Sequence, residues 1–251
     1  MADLHTAKTH DPDTVRIAFF SDLHYASRPN RLIPERRGEC APALLARLVR
    51  VLNREIRPDL TLCGGDLINF PRARDARRLT AALAEILSLL EMPCTVIRGN
   101  HDLPARAFTR YFPFRPITDV GFVRVVAFDD PERPGYNAVR TAADTARMRE
   151  AAAGWDGLLL SFQHTPLLPP GKCIVNYENA DELIRNMKSW GYRAAISGHY
   201  HEGVPPESGN GLRFFVQSAF CEAPFAFTVI HAARDGSIRF QRVCPDVHGI
   251  V

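Results

Sequence analysis

Three short runs near the start of the chain, "VRIAFF" (Val15 to Phe20), "DLTLC" (Asp59 to Cys63) and "CTVIR" (from Cys94), are apolar almost throughout. A strand with no polar face cannot lie on a solvated sheet, so these must be covered. The segments between them are amphipathic. Ala41 to Ile56 carries Leu44, Leu45, Leu48, Val51 and Leu52 as a helical stripe, and Asp75 to Glu91 repeats the pattern. Pro58 and Pro93 stop the two helices. The order β-α-β-α-β predicts an α/β sheet covered by helices on at least one face.

The remainder is less regular. Residues 103 to 120 contain several prolines and aromatics and read as a long loop. "FVRVVAF" (Phe122 to Phe128) and "GLLLSFQ" (Gly157 to Gln163) read as strands, with the turn region "DDPERPGYN" and a helix over Thr141 to Ala153 between them. A helix over Asn179 to Trp190 precedes the strand "YRAAI". The runs "LRFFVQSAF", "FAFTVIHA" and "SIRFQRV" predict a closing antiparallel meander. Residues 1–14 read as a polar leader and residues 15–251 as one domain.

Composition excludes several classes. At 46% hydrophobic and 24% charged the chain is that of an ordinary soluble protein. A net charge of +3 argues against a nucleic-acid polymer or a membrane surface as partner. The basic stretches Arg28 to Arg37 and Pro71 to Arg78 read as solvated faces, with substrate clamps as the alternative. Six scattered cysteines with no CxxC spacing fit a reducing compartment, so a cytoplasmic location is expected. Oligomeric state is left open.

Chemistry concentrates where the strands end. Asp22 and His24 follow the first strand, Asp66 the second, and Asn100 with His101 the third. His164 follows "GLLLSF", and His199 with His201 follow "YRAAI". Taken singly, "DLH" or "GGD" is a frequent accident of turns. Loops at the carboxyl ends of strands in layered α/β folds share one rim, so these groups can meet. Oxygen and nitrogen donors of this kind suit Mn, Fe, Zn or Mg.

The blocks "SDLH", "GGDL", "GNHD", "QHTP" and "GHYH", in this order, resemble the calcineurin-like metallophosphoesterases over Asp22 to His201, most of the chain. The resemblance implies a four-layer αββα sandwich of two mixed sheets flanked by helices. It implies two metal ions, Mn or Fe favoured. Asp22, His24, Asp66 and His201 hold one; Asp66 bridges to the other, which Asn100, His164 and His199 complete. His101 is expected to contact the phosphate and help the leaving oxygen depart, with Asp66 and Asn100 also counted in the catalytic set. Two cations can lower the pKa of a shared water toward neutrality and offset charge in the phosphoryl transition state.

Many relatives carry a second acid three residues after the bridging aspartate, where this chain has Asn69. His101 is therefore expected to act more as a neutral donor, or with help from Asp102. The compact length and the tail "VQSAFCEAPF" resemble the small phosphodiesterase branch, acting on cyclic nucleotides or glycerophosphodiesters. The alternatives are a phosphomonoesterase of the same superfamily or a catalytically silent scaffold that binds a partner. Phe108, Tyr111, Phe112 and Phe114 are expected either to wall the substrate site or to cover the edge of the core.

Overall fold

The computed structural model describes residues 11–209 and 211–251, the side chains of 208 and 209 excepted. The first sheet is built from β1 (Thr14–Phe20), β2 (Leu60–Cys63) and β3 (Cys94–Val96), which run parallel, connected through α1 (Ala41–Val51) and α2 (Ala76–Leu87). One π turn over Leu52–Ile56 extends α1 before Arg57 turns left-handed.

The middle region departs from the expected loop. It contains a single helical turn, α3 (Ala105–Phe108), and a strand, β4 (Ile117–Val120), antiparallel to β5 (Val123–Ala127). Ile117, Thr118 and Val120 of "ITDV" are β-branched and favour a strand, but so short a run behind prolines and aromatics reads as loop until β5 pairs with it. A two-residue ladder, β6 (Glu132–Arg133) with β7 (Asn137–Ala138), lies inside the predicted turn region. Next come α4 (Ala142–Ala152), β8 (Leu158–Phe162), α5 (Ala180–Ser189) and β9 (Tyr192–Ser197).

The predicted closing meander is corrected. β10 (Val204–Gly209) and β11 (Leu212–Val216) belong to a second sheet, ordered β10-β11-β9-β8-β5-β4, in which β11 runs parallel to β9. β10, with Pro205 and Pro206, is tolerated because it is an edge strand whose pairing shifts register between Val204 and Glu207. Of the three predicted runs, only the last two, β12 (Phe227–Ala233) and β13 (Ile238–Val243), pair with each other, as an antiparallel hairpin that extends the first sheet as β13-β12-β1-β2-β3.

The two mixed sheets pack face to face with helices outside. Alternate residues of β1 show why both faces must be apolar. Ile17 and Phe19 point into the layer between sheets, where Phe19 meets Phe162 edge-on at 5.6 Å between ring centroids. Ala18 and Phe20 point the other way, against Leu44, Leu48 and Leu83 of α1 and α2. On the far side, Met148 and Ala151 of α4 and Leu183 and Met187 of α5 cover the second sheet. Phe108 and Phe112 are buried against the first helical layer, so these aromatics cover the core and do not wall a substrate site.

Arg140 is the largest fully buried side chain. It pairs with Asp130 at 2.8 Å, donates to Ser161 Oγ at 3.2 Å and stacks over Phe128 at 3.4 Å. Tyr177 adds a 2.6 Å hydrogen bond to Asp130. This anchors the 129–140 segment to β8. Removing one partner of a buried pair strands the other. Arg140→Ala is therefore expected to lower the free energy of unfolding by about 3–5 kcal/mol, read from urea denaturation as a lower midpoint at unchanged slope.

Candidate metal centre

Asp22, Asp66 and Asn100 leave the carboxyl ends of β1, β2 and β3, while His164 and His199 leave those of β8 and β9. One rim thus collects side chains from both sheets. The loops there are laced as if the strands continued: His24 N–H donates to Asp66 O (2.9 Å), Tyr25 N–H to Leu67 O (2.8 Å) and Gly198 N–H to His164 O (2.9 Å).

The backbone is strained at the functional positions. Asp22 (φ 62°), His24 (47°), Asp66 (53°) and His199 (66°) all adopt left-handed conformations. Each costs on the order of 1–3 kcal/mol and persists only where surrounding bonds over-determine it. Two glycines admit the close approaches. A Cβ on Gly99 would lie 2.1 Å from Asp66 Oδ1, and one on Gly198 would lie 2.1 Å from Ser21 Oγ and 2.6 Å from Asp22 Oδ2.

The donors form two groups about one shared atom. In the first, His24 Nε2 lies 3.0 Å from His201 Nε2, 3.8 Å from Asp22 Oδ1 and 3.5 Å from Asp66 Oδ2. In the second, His164 Nε2 lies 3.4 Å from the same Asp66 Oδ2, 3.2 Å from Asn100 Oδ1 and 3.1 Å from His199 Nδ1. Ligand bonds of about 2.0–2.2 Å put neighbouring donors roughly 3–3.5 Å apart around a common ion. All seven sequence-predicted ligands are thus brought together, and His199 and His201 face different groups.

Protonation makes the fit stricter. His24 Nδ1 faces Asn69 Oδ1 (3.1 Å), His164 Nδ1 faces Gly64 O (2.7 Å) and His201 Nδ1 faces Glu222 Oε1 (2.5 Å). His199 Nε2 faces Tyr136 O (3.0 Å). Each partner is an acceptor, so the facing nitrogen carries hydrogen, and a neutral ring then turns its lone pair inward. Asp22 Oδ1 is buried with no hydrogen-bond partner. These donors suit a pair of cations.

The charges agree. Burial raises the Asp66 carboxyl, yet the charges of His164 and His24 outweigh it and hold it well below the usual range; Asp22 is likewise lowered, against burial, by His24, His164 and His201. Burial lowers His164, but Asp66 and Asp22 carry it up to about 9. Burial and the His164 charge push His199 down to about 4. The cluster as it stands draws in positive charge.

His101 also lies close to His24 and Asp66. Its Nδ1 meets Asn69 O at 2.8 Å, and its backbone N–H donates to Asp66 Oδ1 at 2.8 Å. Because a carbonyl only accepts, Nδ1 carries the hydrogen, and neutral His101 presents a lone pair at Nε2. The expected neutral-donor role is therefore corrected: Nε2 donates only as imidazolium. Asp102 does not touch His101. Its carboxylate accepts from Leu67 N–H (2.8 Å), Ile68 N–H (3.3 Å) and Gly99 N–H (2.9 Å), stapling the second loop to the third. Burial and the Asp66 charge raise it to about 7.

Sequence reasoning missed Glu222 and the Tyr136 carbonyl, and it held Arg36 only within a basic stretch whose alternative reading was a substrate clamp. Glu222 had a signal, an acid in the tail quoted above, but no spacing rule connects it with His201. Cys221 beside it is buried and its thiol is pushed well above its ordinary range by burial and the Glu222 charge, so it is a poor metal donor. Of the basic side chains in the two stretches, Arg36 lines the cleft, of about 410 Å³, that opens over both donor groups. Ile33, Tyr136, Val175 and Tyr200 give that cleft its apolar and aromatic sides.

Residues 15–203 match the family described as calcineurin-like phosphoesterase. The chain belongs to the calcineurin-like phosphoesterases. It is 25% identical, over 88% of its length and 72% of the other chain, to the cAMP/cGMP dual specificity phosphodiesterase of Mycobacterium tuberculosis. Its fold is that of a dimetal phosphatase from Danio rerio, with a TM-score of 0.71 at 16% identity, covering 92% of this phosphoesterase and 99% of that chain. It also resembles the anchor in the inner membrane complex of Plasmodium (TM-score 0.62, 11% identity, 95% and 87% covered). Among the described residues no helix is long and apolar enough to cross a membrane.

The Asp102 staple should be felt in stability. Asp102→Ala leaves three backbone N–H groups without their acceptor and is expected to cost about 2–4 kcal/mol, measured by thermal unfolding of the metal-free protein.

Proposed function

We propose that this phosphoesterase holds two metal ions and hydrolyses small phosphodiesters of the cyclic nucleotide or glycerophosphodiester type. The observation that carries the reading is the pair of inward-facing donor groups sharing Asp66 Oδ2. Asp22, His24, Asp66 and His201 hold one ion; Asp66, Asn100, His164 and His199 hold the other. Bound there, such ions lower the pKa of water and offset charge developing on the phosphoryl oxygens.

The chain's own residues do the rest. The carboxylates contribute −2, which leaves a site of two divalent ions electropositive toward an anionic substrate. His101, oriented by the Asn69 carbonyl, reaches the reacting group with Nε2 and, once protonated there, donates to the leaving oxygen. Glu222, Asn69, Gly64 and Tyr136 keep the four ligand imidazoles in one tautomer and orientation through the reaction.

Two observations favour a diester over a monoester. The mycobacterial relative is named for cyclic nucleotides. The cleft's apolar and aromatic sides suit an organic group on each side of a phosphorus. A silent scaffold has no need to keep a complete donor set.

Manganese-loaded protein is expected to carry about two metal ions per chain by elemental analysis and to hydrolyse bis-p-nitrophenyl phosphate. Asp66→Ala should lose metal and cut turnover at least about 10³-fold, through loss of the metal-dependent barrier reduction. Full turnover in that variant sinks the reading. Faster turnover of p-nitrophenyl phosphate than of cyclic nucleotides and glycerophosphodiesters moves it to a phosphatase.

A further inference from the structure

Arg36 has no part in the donor set, yet its side chain, 14% exposed, lines the same cleft as His101 and the ligand histidines. Its position is fixed by the chain on both sides. Arg37 N–H donates to Cys221 O at 2.8 Å, tying the 28–37 loop to the segment that carries Glu222. Arg36 Nη1 donates to Asn69 Oδ1 at 3.1 Å.

The other N–H groups of the guanidinium lack acceptors. Nη2 stands 3.4 Å from His201 Nδ1, but that nitrogen gives its own hydrogen to Glu222 and has no lone pair to offer. Nε is buried without a hydrogen-bond partner, 3.8 Å from Glu222 Oε1. A guanidinium has five N–H donors, so four of them find no acceptor on the chain among the described residues. Mostly buried donors are normally satisfied; Nε is closed off by burial, so the Nη groups of this cleft-lining side chain are the ones left to meet a ligand. Phosphoryl oxygens are acceptors that match a guanidinium fork.

Asn69 bears on this as well. A carboxylate at that place would pair with Arg36 and neutralise it. The amide oxygen holds the guanidinium and His24 together without cancelling the charge. Glu222 spends its shorter contact on His201.

We propose that Arg36 is a substrate-binding residue whose free N–H groups take a non-bridging oxygen of the phosphoryl group, with Asn69 and Glu222 as its positioning residues. This rests on the phosphoesterase reading above. Arg36 supplies charge and geometry to the bound phosphoryl group and transfers no proton.

The test compares manganese-loaded wild type with Arg36→Ala and Arg36→Lys, using orthophosphate as the titrated ligand in calorimetry alongside steady-state kinetics on bis-p-nitrophenyl phosphate. Thermal unfolding and elemental analysis are expected to show both variants folded and with wild-type metal content. Orthophosphate should bind Arg36→Ala at least about tenfold more weakly, as expected for losing a charge-assisted bond. Its KM should rise at least about tenfold, with kcat falling less. Lysine should restore only part of the loss, because it keeps the charge without the fork. Millimolar guanidinium should recover part of kcat/KM in the alanine variant. Phosphate affinity within twofold of wild type, with metal in place, overturns the proposal. Loss of metal from Arg36→Ala also overturns it, since Arg36 would then serve only to hold His201. Wild-type protein that binds phosphate but hydrolyses no ester counts against the proposed activity alone, and the Arg36 comparison still stands.

Discussion

Lone pairs that face each other across about 3 Å are the constraint on which the rest of this molecule depends. As neutral rings, His24 and His201 turn lone pairs toward one another at 3.0 Å, and His164 and His199 do so at 3.1 Å. Left bare, that arrangement is repulsive. It is forced because the second nitrogen of each ring is committed to an acceptor: an amide oxygen, a carboxylate or a backbone carbonyl. Only positive charge placed between the rings relieves it. The pull of Asp66 and Asp22 on a proton at His164 expresses the same demand in the protein by itself.

Holding donors in that state requires backbone shapes that a free chain avoids. Asp22, His24, Asp66 and His199 are left-handed at once, and they come from three loops on two sheets. What keeps them there is rigid on both sides. Below the rim, Phe19 and Phe162 fix the spacing of the sheets. Within the rim, Asp102 joins the loops after β2 and β3, while Phe220 N–H to Ser21 O (2.9 Å) and Cys221 N–H to Asp22 O (3.1 Å) bring the tail against the loop after β1. The Arg140–Asp130 pair anchors the segment whose Tyr136 carbonyl meets His199. Stability and site geometry therefore draw on the same contacts.

The seven donors were legible because five short blocks, the first two of them ordinary turns when taken singly, follow strand ends in the order that the family resemblance implies. Their partners were harder to read for a physical reason. Every residue has a carbonyl, so nothing marks those of Gly64, Asn69 or Tyr136 as the acceptors that orient an imidazole. Glu222 and Arg36 are ordinary residues far along the chain from His201, and only tertiary contact gives them meaning. The same limit applies to the fold. The pattern of "LRFFV" shows a strand, but its parallel pairing with β9 depends on a neighbour 20 or so residues away that no local period encodes. The aromatics of 108 to 112 read equally well as wall or core until the first helical layer covers two of them.

Asn69 shows what an amide does at a place where the family resemblance implies an acid. Its carbonyl keeps the His101 ring in place, so orientation survives without a carboxylate. What a carboxylate adds is charge, and its absence has two opposite consequences. Imidazolium at His101 lacks the counter-ion a carboxylate would supply, so the protonated form that must donate is favoured less. The neighbouring guanidinium of Arg36, meanwhile, has only the 3.8 Å contact with Glu222 as a charge partner and keeps its Nη groups beside the cleft. Positive charge around the phosphoryl group is thereby moved from a group that must be protonated to one that is always charged. A site of this kind relies more on holding its anion and less on proton donation to the leaving oxygen.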